Sequence, residues 1–115
     1  MKNVSDAGLN NLIKEINSEL RNCFGDKLDN VWLYGSYARG DFDEESDIDV
    51  MALVDLPKEM LATYRRKVSD LTSDLDLKYD VLLSIKLQDK DTFSRFSNTL
   101  PFFQNVLKEG KCIVQ

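Results

Sequence analysis

Residues 31–54 read VWLYGSYARGDFDEESDIDVMALV, and the fold turns on this stretch. Val31 to Tyr34 are apolar or aromatic and predict a buried strand. Gly35 and Ser36 end it abruptly. Gly35 admits backbone angles closed to other residues, and without a Cβ it lets a ligand come close. Ser36 sets a hydroxyl beside exposed backbone N–H groups, a small turn that can hold a phosphate. A polar, acidic segment follows over 40–46, then a second predicted strand over 47–54. Side chains alternate faces along a strand, so Asp47 and Asp49 share one face while Ile48, Val50 and Ala52 take the other. Two carboxylates at i and i+2 are poor material for a core. Paired and exposed, they suit a hard divalent cation such as Mg²⁺, which takes oxygen ligands.

Upstream, Leu9, Leu12, Ile13, Ile16 and Leu20 recur at three- and four-residue spacing and predict a helix over 5–24. Gly25 stands where that helix stops, with a turn over 26–30. Downstream, Pro57 occupies a favourable first-turn position, and a second helix is expected from Lys58 to about Leu75, ended by polar residues 73–78. Residues 79–87, YDVLLSIKL, predict a third strand. A polar connection over 88–97 carries Phe93 and Phe96. A last helix over 98–109 has Pro101 in its first turn, and a short edge strand over 111–114 closes the chain. This order predicts one α/β (α+β) domain of two layers over 1–115. It has a small mixed sheet of three or four strands with helices on one face. The face bearing Asp47 and Asp49 is then open or covered by a partner.

Composition bounds the function classes. A chain of 115 residues with 43% hydrophobic content fits one modest core. No apolar run is long enough to span a bilayer, and MKNVSDAGLNN lacks a leader's apolar segment, so the expected place is the cytoplasm. The net charge of −5, with scattered Lys and Arg, disfavours a nucleic-acid partner. The densest basic group, Arg65-Arg66-Lys67, reads as a solvated helix face. The absence of histidine removes His general bases, Ser-His triads and most zinc sites. Cys23 and Cys112 lack metal spacing and read as reduced thiols.

Two residues keep open readings. Asp80 in an apolar strand is either a strand-end acid in solvent or paired with lysine, or a third member of a metal site. Arg39 either contacts a phosphate or partner, or pairs at the surface with Asp41 or Asp43. The aromatics Trp32, Tyr37, Phe42, Phe93 and Phe96 read mostly as core, with a subset suited to an interface.

Gly35-Ser36-Tyr37-Ala38-Arg39-Gly40 followed by Ser46-Asp47-Ile48-Asp49 resembles the signature of the DNA polymerase β-like nucleotidyltransferase superfamily. Within it the pattern is similar to the minimal nucleotidyltransferase (MNT) branch, found as antitoxin partners of HEPN toxins. The resemblance is sharp over residues 31–54 and compatible in length and element order beyond. It implies a metal-dependent enzyme that uses ATP with Mg²⁺ or Mn²⁺ and transfers AMP to a hydroxyl, such as a tyrosine of a HEPN-type toxin. It implies Asp47, Asp49 and Asp80 as catalytic metal ligands, and Gly35, Ser36 and Arg39 as nucleotide-binding residues. It further implies a helical HEPN-type partner; the aromatic subset suited to an interface leads, on its own ground, to the expectation of a homodimer or a complex with a helical partner. The alternative is an antitoxin that neutralises by binding alone. Aspartyl-phosphate chemistry fits poorly, because the apolar run follows Asp47 instead of preceding it. A calcium loop in DFDEESDID lacks the glycine an EF-hand needs.

Overall fold

Leu12, Ile16 and Leu20 have no exposed surface, and this stripe seats the first helix, α1 (Asp6–Phe24), on the sheet. In the computed structural model residues 6–35 and 47–113 are described. A 3-10 turn, Gly25–Lys27, leads from α1 into β1 (Leu28–Tyr34). Then come β2 (Ile48–Val54), α2 (Lys58–Tyr79) and β3 (Leu83–Asp89). Two short helices, α3 (Lys90–Phe96) and α4 (Pro101–Glu109), precede β4 (Lys111–Cys112).

The strands lie in the order β3-β2-β1-β4. β2 runs antiparallel to β1 and parallel to β3, and β4 pairs antiparallel with β1 at Trp32 and Leu33. The sheet is therefore mixed, as expected, with β3 and β4 at its edges. Ile48, Val50, Ala52 and Val54 alternate onto one face and pack with Val31 and Leu33 against α1 and α2. Burying each such aliphatic side chain favours folding by about 1.5–3 kcal/mol. Glu15 of α1 accepts hydrogen bonds from Lys78 Nζ (2.5 Å) and the Tyr79 hydroxyl (2.7 Å), joining the two long helices.

The opposite face is partly covered by the chain itself. Met51 and Leu53 form a second, smaller core with Phe93 of α3 and with Phe103 and Val106 of α4, flanked by Trp32 and Tyr34. The long helices keep to one face as expected; the short C-terminal helices take the other. Of the aromatics considered above, Phe93 is buried, Trp32 is half-buried and Phe96 is exposed, while Tyr37 and Phe42 lie outside the described residues.

Several boundaries differ from expectation. β1 begins at Leu28 because Leu28 already pairs with Val54 and is buried. α2 continues to Tyr79, since polar residues over 73–78 form its solvent side while Val68, Leu71 and Leu75 extend its buried stripe. The third strand therefore starts at Leu83 and not at Tyr79. The segment expected as a connection contains α3, capped by Asp89, whose carboxylate accepts the Thr92 N–H at 2.8 Å. Among the described residues no helix is long and apolar enough to cross a membrane.

Candidate active site

The antiparallel pairing of β1 with β2 sets Tyr34 directly across from Asp49, and the parallel pairing with β3 sets Ser84 on the other side of Asp49. Tyr34, Asp49 and Ser84 thus form a row across three strands on one face of the sheet. The second core centres one row further along, where Trp32, Met51 and Lys86 align, and Tyr34 of the Asp49 row packs against its margin. Burial raises the Tyr34 phenol above its ordinary range, and the charge of Asp49 pushes it further up.

Gly35 follows immediately after β1 with φ of +76°, a left-handed conformation that side chains other than glycine's resist. Space imposes the same restriction. A Cβ on Gly35 would stand 3.3 Å from Cγ of Asp49 and closer still to its Oδ2. The glycine therefore lets the backbone come right up to the carboxylate. Asp47 precedes β2 and is exposed, and the strand alternation puts it on the Asp49 side. Ser36 and Arg39 lie outside the described residues.

Asp80 is placed differently from its expected strand position. It is the C-cap of α2, exposed, with φ of +55°, and its N–H donates to the Asp76 carbonyl. A residue in this left-handed conformation commonly ends a helix, and Asp tolerates it better than most. Ser84, four residues later, occupies the position beside Asp49 that a third strand acid would take. Among the described residues no three acidic or thiol side chains cluster closely enough to hold a metal ion. The structure brings Gly35 and Asp49 together, with Asp47 at the head of the same strand, and does not join Asp80 to them.

Asp76, near the end of α2, is a neighbour of the site that the sequence pattern does not single out. Its Oδ1 accepts the Leu83 N–H at 2.8 Å, fastening the start of β3 to the end of α2. Burial raises its carboxyl above the usual range; the Leu83 hydrogen bond opposes that, and the charge of Asp47 adds to it. Lys86 was also missed. It lies on the Asp49 face of β3, with Nζ 4.8 Å from the Phe102 ring centre, and Phe102 meets Tyr34 edge-on at 5.5 Å. Strand parity alone could have found both Ser84 and Lys86, once β3 was in register with β2.

A cavity of about 760 Å³ runs from Tyr34 and Ser84 along β3 to Asp89, with α2 as its other wall. At its far end Asp89 is buried. Burial pushes the Asp89 carboxyl up, but hydrogen bonds from Thr92, its own backbone N–H and the charge of Lys58 outweigh this and hold it below the usual range.

Asp47 and Asp49 supply hard oxygen donors, and the cradle facing Asp49 is one that a Cβ would fill. This set fits a cation of the Mg²⁺ type, which takes one or two protein carboxylates and completes its shell with phosphate oxygens and water.

The model of the nucleotidyltransferase domain matches residues 12–109. The chain belongs to the nucleotidyltransferase domain family. As a nucleotidyltransferase it has relatives in Methanocaldococcus jannaschii. It is 49% identical over 74 residues to MJ0141, named a putative protein adenylyltransferase, across 64% of this chain and 72% of that one. It is 35% identical over 101 residues to MJ0604, which carries the same name, across 88% of this chain and 93% of that one. Among solved structures, a toxin–antitoxin crystal structure with AMP-PNP superposes with a TM-score of 0.59 at 22% identity, over 88% of this chain and 71% of that one. A variant of the toxin–antitoxin MntA–HpeT gives a TM-score of 0.54 at 26% identity, over 86% and 68% of the two chains. The nucleotidyltransferase fold of these neighbours is the mixed sheet with four helices described above.

Proposed function

We propose that this nucleotidyltransferase moves AMP from ATP to a hydroxyl of a partner protein, in the manner of an antitoxin acting on its toxin. The observation that carries the reading is the close approach of Gly35, in its left-handed conformation, to the carboxylate of Asp49. A backbone turn that admits phosphate beside a carboxylate that admits a cation is what nucleotidyl transfer needs. The relatives named as protein adenylyltransferases, and the toxin–antitoxin neighbours, support a protein acceptor.

In the reaction an acceptor oxygen attacks the α-phosphorus of ATP. The bond from that phosphorus to the bridging oxygen breaks, and pyrophosphate leaves with the electron pair. The acceptor's proton passes to a carboxylate or to water. Asp47 and Asp49 would hold Mg²⁺ or Mn²⁺. When bound, such an ion neutralises the phosphates and lowers the pKa of the attacking hydroxyl. Gly35 lets the backbone approach the phosphates, and Ser36 and Arg39 are proposed to complete their binding. A tyrosine of a helical HEPN-type toxin is the proposed acceptor. Asp80, set at a helix cap, carries none of this argument.

The test uses ATP labelled on its α-phosphate, against ATP labelled on its γ-phosphate, with the protein encoded beside this one as acceptor. Label entering the acceptor from the α-position alone supports the reading. Absence of transfer, while the two proteins still bind each other, overturns it in favour of neutralisation by binding.

A further inference from the structure

Among the described residues β3 is an edge strand, so one side of its backbone has no described strand to pair with. The parallel ladder with β2 uses alternate residues: Ile48 N–H donates to the Leu82 carbonyl at 2.8 Å. By this alternation Ser84 and Lys86 turn their peptide groups toward β2, while Leu83, Ile85 and Leu87 turn theirs outward. Asp76 takes the outward N–H of Leu83. No described residue does the same for Ile85 or Leu87. An unpaired row of this kind is a template for another strand.

The cavity of about 760 Å³ lies along this edge, between β3 and α2. Its described lining is basic where the whole chain is acidic. The sequence carries −5, yet Lys58, Arg65 and Lys86 line the cavity and Asp89 is the one acid among its described lining residues. Asp89 is engaged at the α3 cap, which leaves Lys58, Arg65 and Lys86 in excess over it among the described lining residues. One end of the groove is formed by Tyr34 and Ser84, the two residues that flank Asp49. The groove is thus continuous with the candidate active site.

We infer that the groove between β3 and α2 binds an extended, acidic segment of the acceptor polypeptide as an added strand, delivering its hydroxyl to Asp49. The inference rests on the protein-acceptor reading and goes on to say where the acceptor lies. Main-chain bonds to Ile85 and Leu87 supply register, as in other strand-addition complexes. Lys58, Arg65 and Lys86 select glutamate- or aspartate-rich segments. Seven residues of β3 span roughly 23 Å, enough to align a short peptide from the active site to Asp89. A polypeptide fits better than a nucleotide, because an extended backbone repeats its donors and acceptors at the spacing of the outward peptide groups of β3.

The experiment measures binding of a fluorescein-labelled peptide the length of β3, one tyrosine followed by alternating valine and glutamate, to the full chain by anisotropy. Three comparisons accompany it: the same peptide N-methylated at alternate amides, a version with lysine for glutamate, and the exposed double variant Lys58→Glu with Arg65→Glu. The expected result is an affinity that falls by about tenfold or more in each comparison, the scale of lost charge-assisted or main-chain bonds. ATP–Mn²⁺ binding by the double variant stays unchanged. Equal affinity for the N-methylated peptide overturns strand addition. Loss of ATP binding in the double variant overturns the peptide site and gives the groove to the nucleotide. Should the double variant fail to fold by circular dichroism, Arg65→Gln alone serves the same comparison. Peptide binding without AMP transfer to any acceptor supports the groove while removing the reaction. Transfer to the partner protein that the double variant leaves intact removes the groove and keeps the reaction.

Discussion

Gly35 and Asp49 are packed so closely across the β1–β2 pair that the glycine cannot gain a side chain without displacing the carboxylate. Its φ of +76° adds a second cost. Gly35→Ala is expected to destabilise the fold by about 1–2 kcal/mol from backbone conformation alone. AMP transfer falls much further, by about a hundredfold, the scale on which misplaced catalytic groups act. Thermal melting and a transfer assay on the same sample separate the two effects. A melting loss with transfer intact would detach the glycine from the chemistry.

Asp49→Asn and Asp47→Asn should each weaken Mn²⁺ binding in the presence of ATP, because a neutral amide is a poorer ligand for a hard cation. Asp47→Asn should raise stability slightly by relieving repulsion with Asp76. Calorimetry with and without EDTA, beside a urea melt, reads both.

Asp80→Gly is expected to stabilise the protein by about 1 kcal/mol, since glycine adopts the left-handed cap of α2 without the strain an L side chain bears. Transfer activity should persist, because Asp80 is not gathered with Asp47 and Asp49. Persistence assigns the residue to the fold; loss of transfer at full stability would restore it to the reaction.

Asp76 separates hydrogen bonding from charge. Asp76→Ala leaves the Leu83 N–H without its partner and should cost about 1–2 kcal/mol. Asp76→Asn keeps an acceptor oxygen. Because the native carboxyl is held above its ordinary range, its protonated form suits the fold better than its charged form. Its favourable contribution is present below the unfolded aspartate value of about 3.9 and is lost as pH rises through the folded value. Asp76→Asn should therefore gain on the native chain at neutral pH, with the advantage fading under acid. Urea melts across that range check the sign.

The β1 strand, the glycine turn and the β2 strand were legible because period-two alternation and the acid pair reinforce one another over residues 31–54. The end of α2 was not. No glycine marks it, and residues 79–87 are apolar enough to pass for a strand from their first residue, so Asp80 was placed on β3 when it caps the helix. α3 was hidden because one buried residue, Phe93, is all that it turns inward. The second core escaped notice for a related reason. Phe103 and Val106 show which side of α4 is buried but not which face of the sheet it meets. Of the expected site residues, Gly35 and Asp49 stand together by geometry, and Ser36 and Arg39 fall outside the described residues.

The most direct measurement is intact mass of the proposed acceptor, the protein encoded beside this one, after incubation with this chain, ATP and Mg²⁺, run in parallel with Asp49→Asn. The account predicts a gain of one AMP on the partner with the native chain and none with the variant. A partner that is silenced equally by both, with no gain in mass, would contradict it.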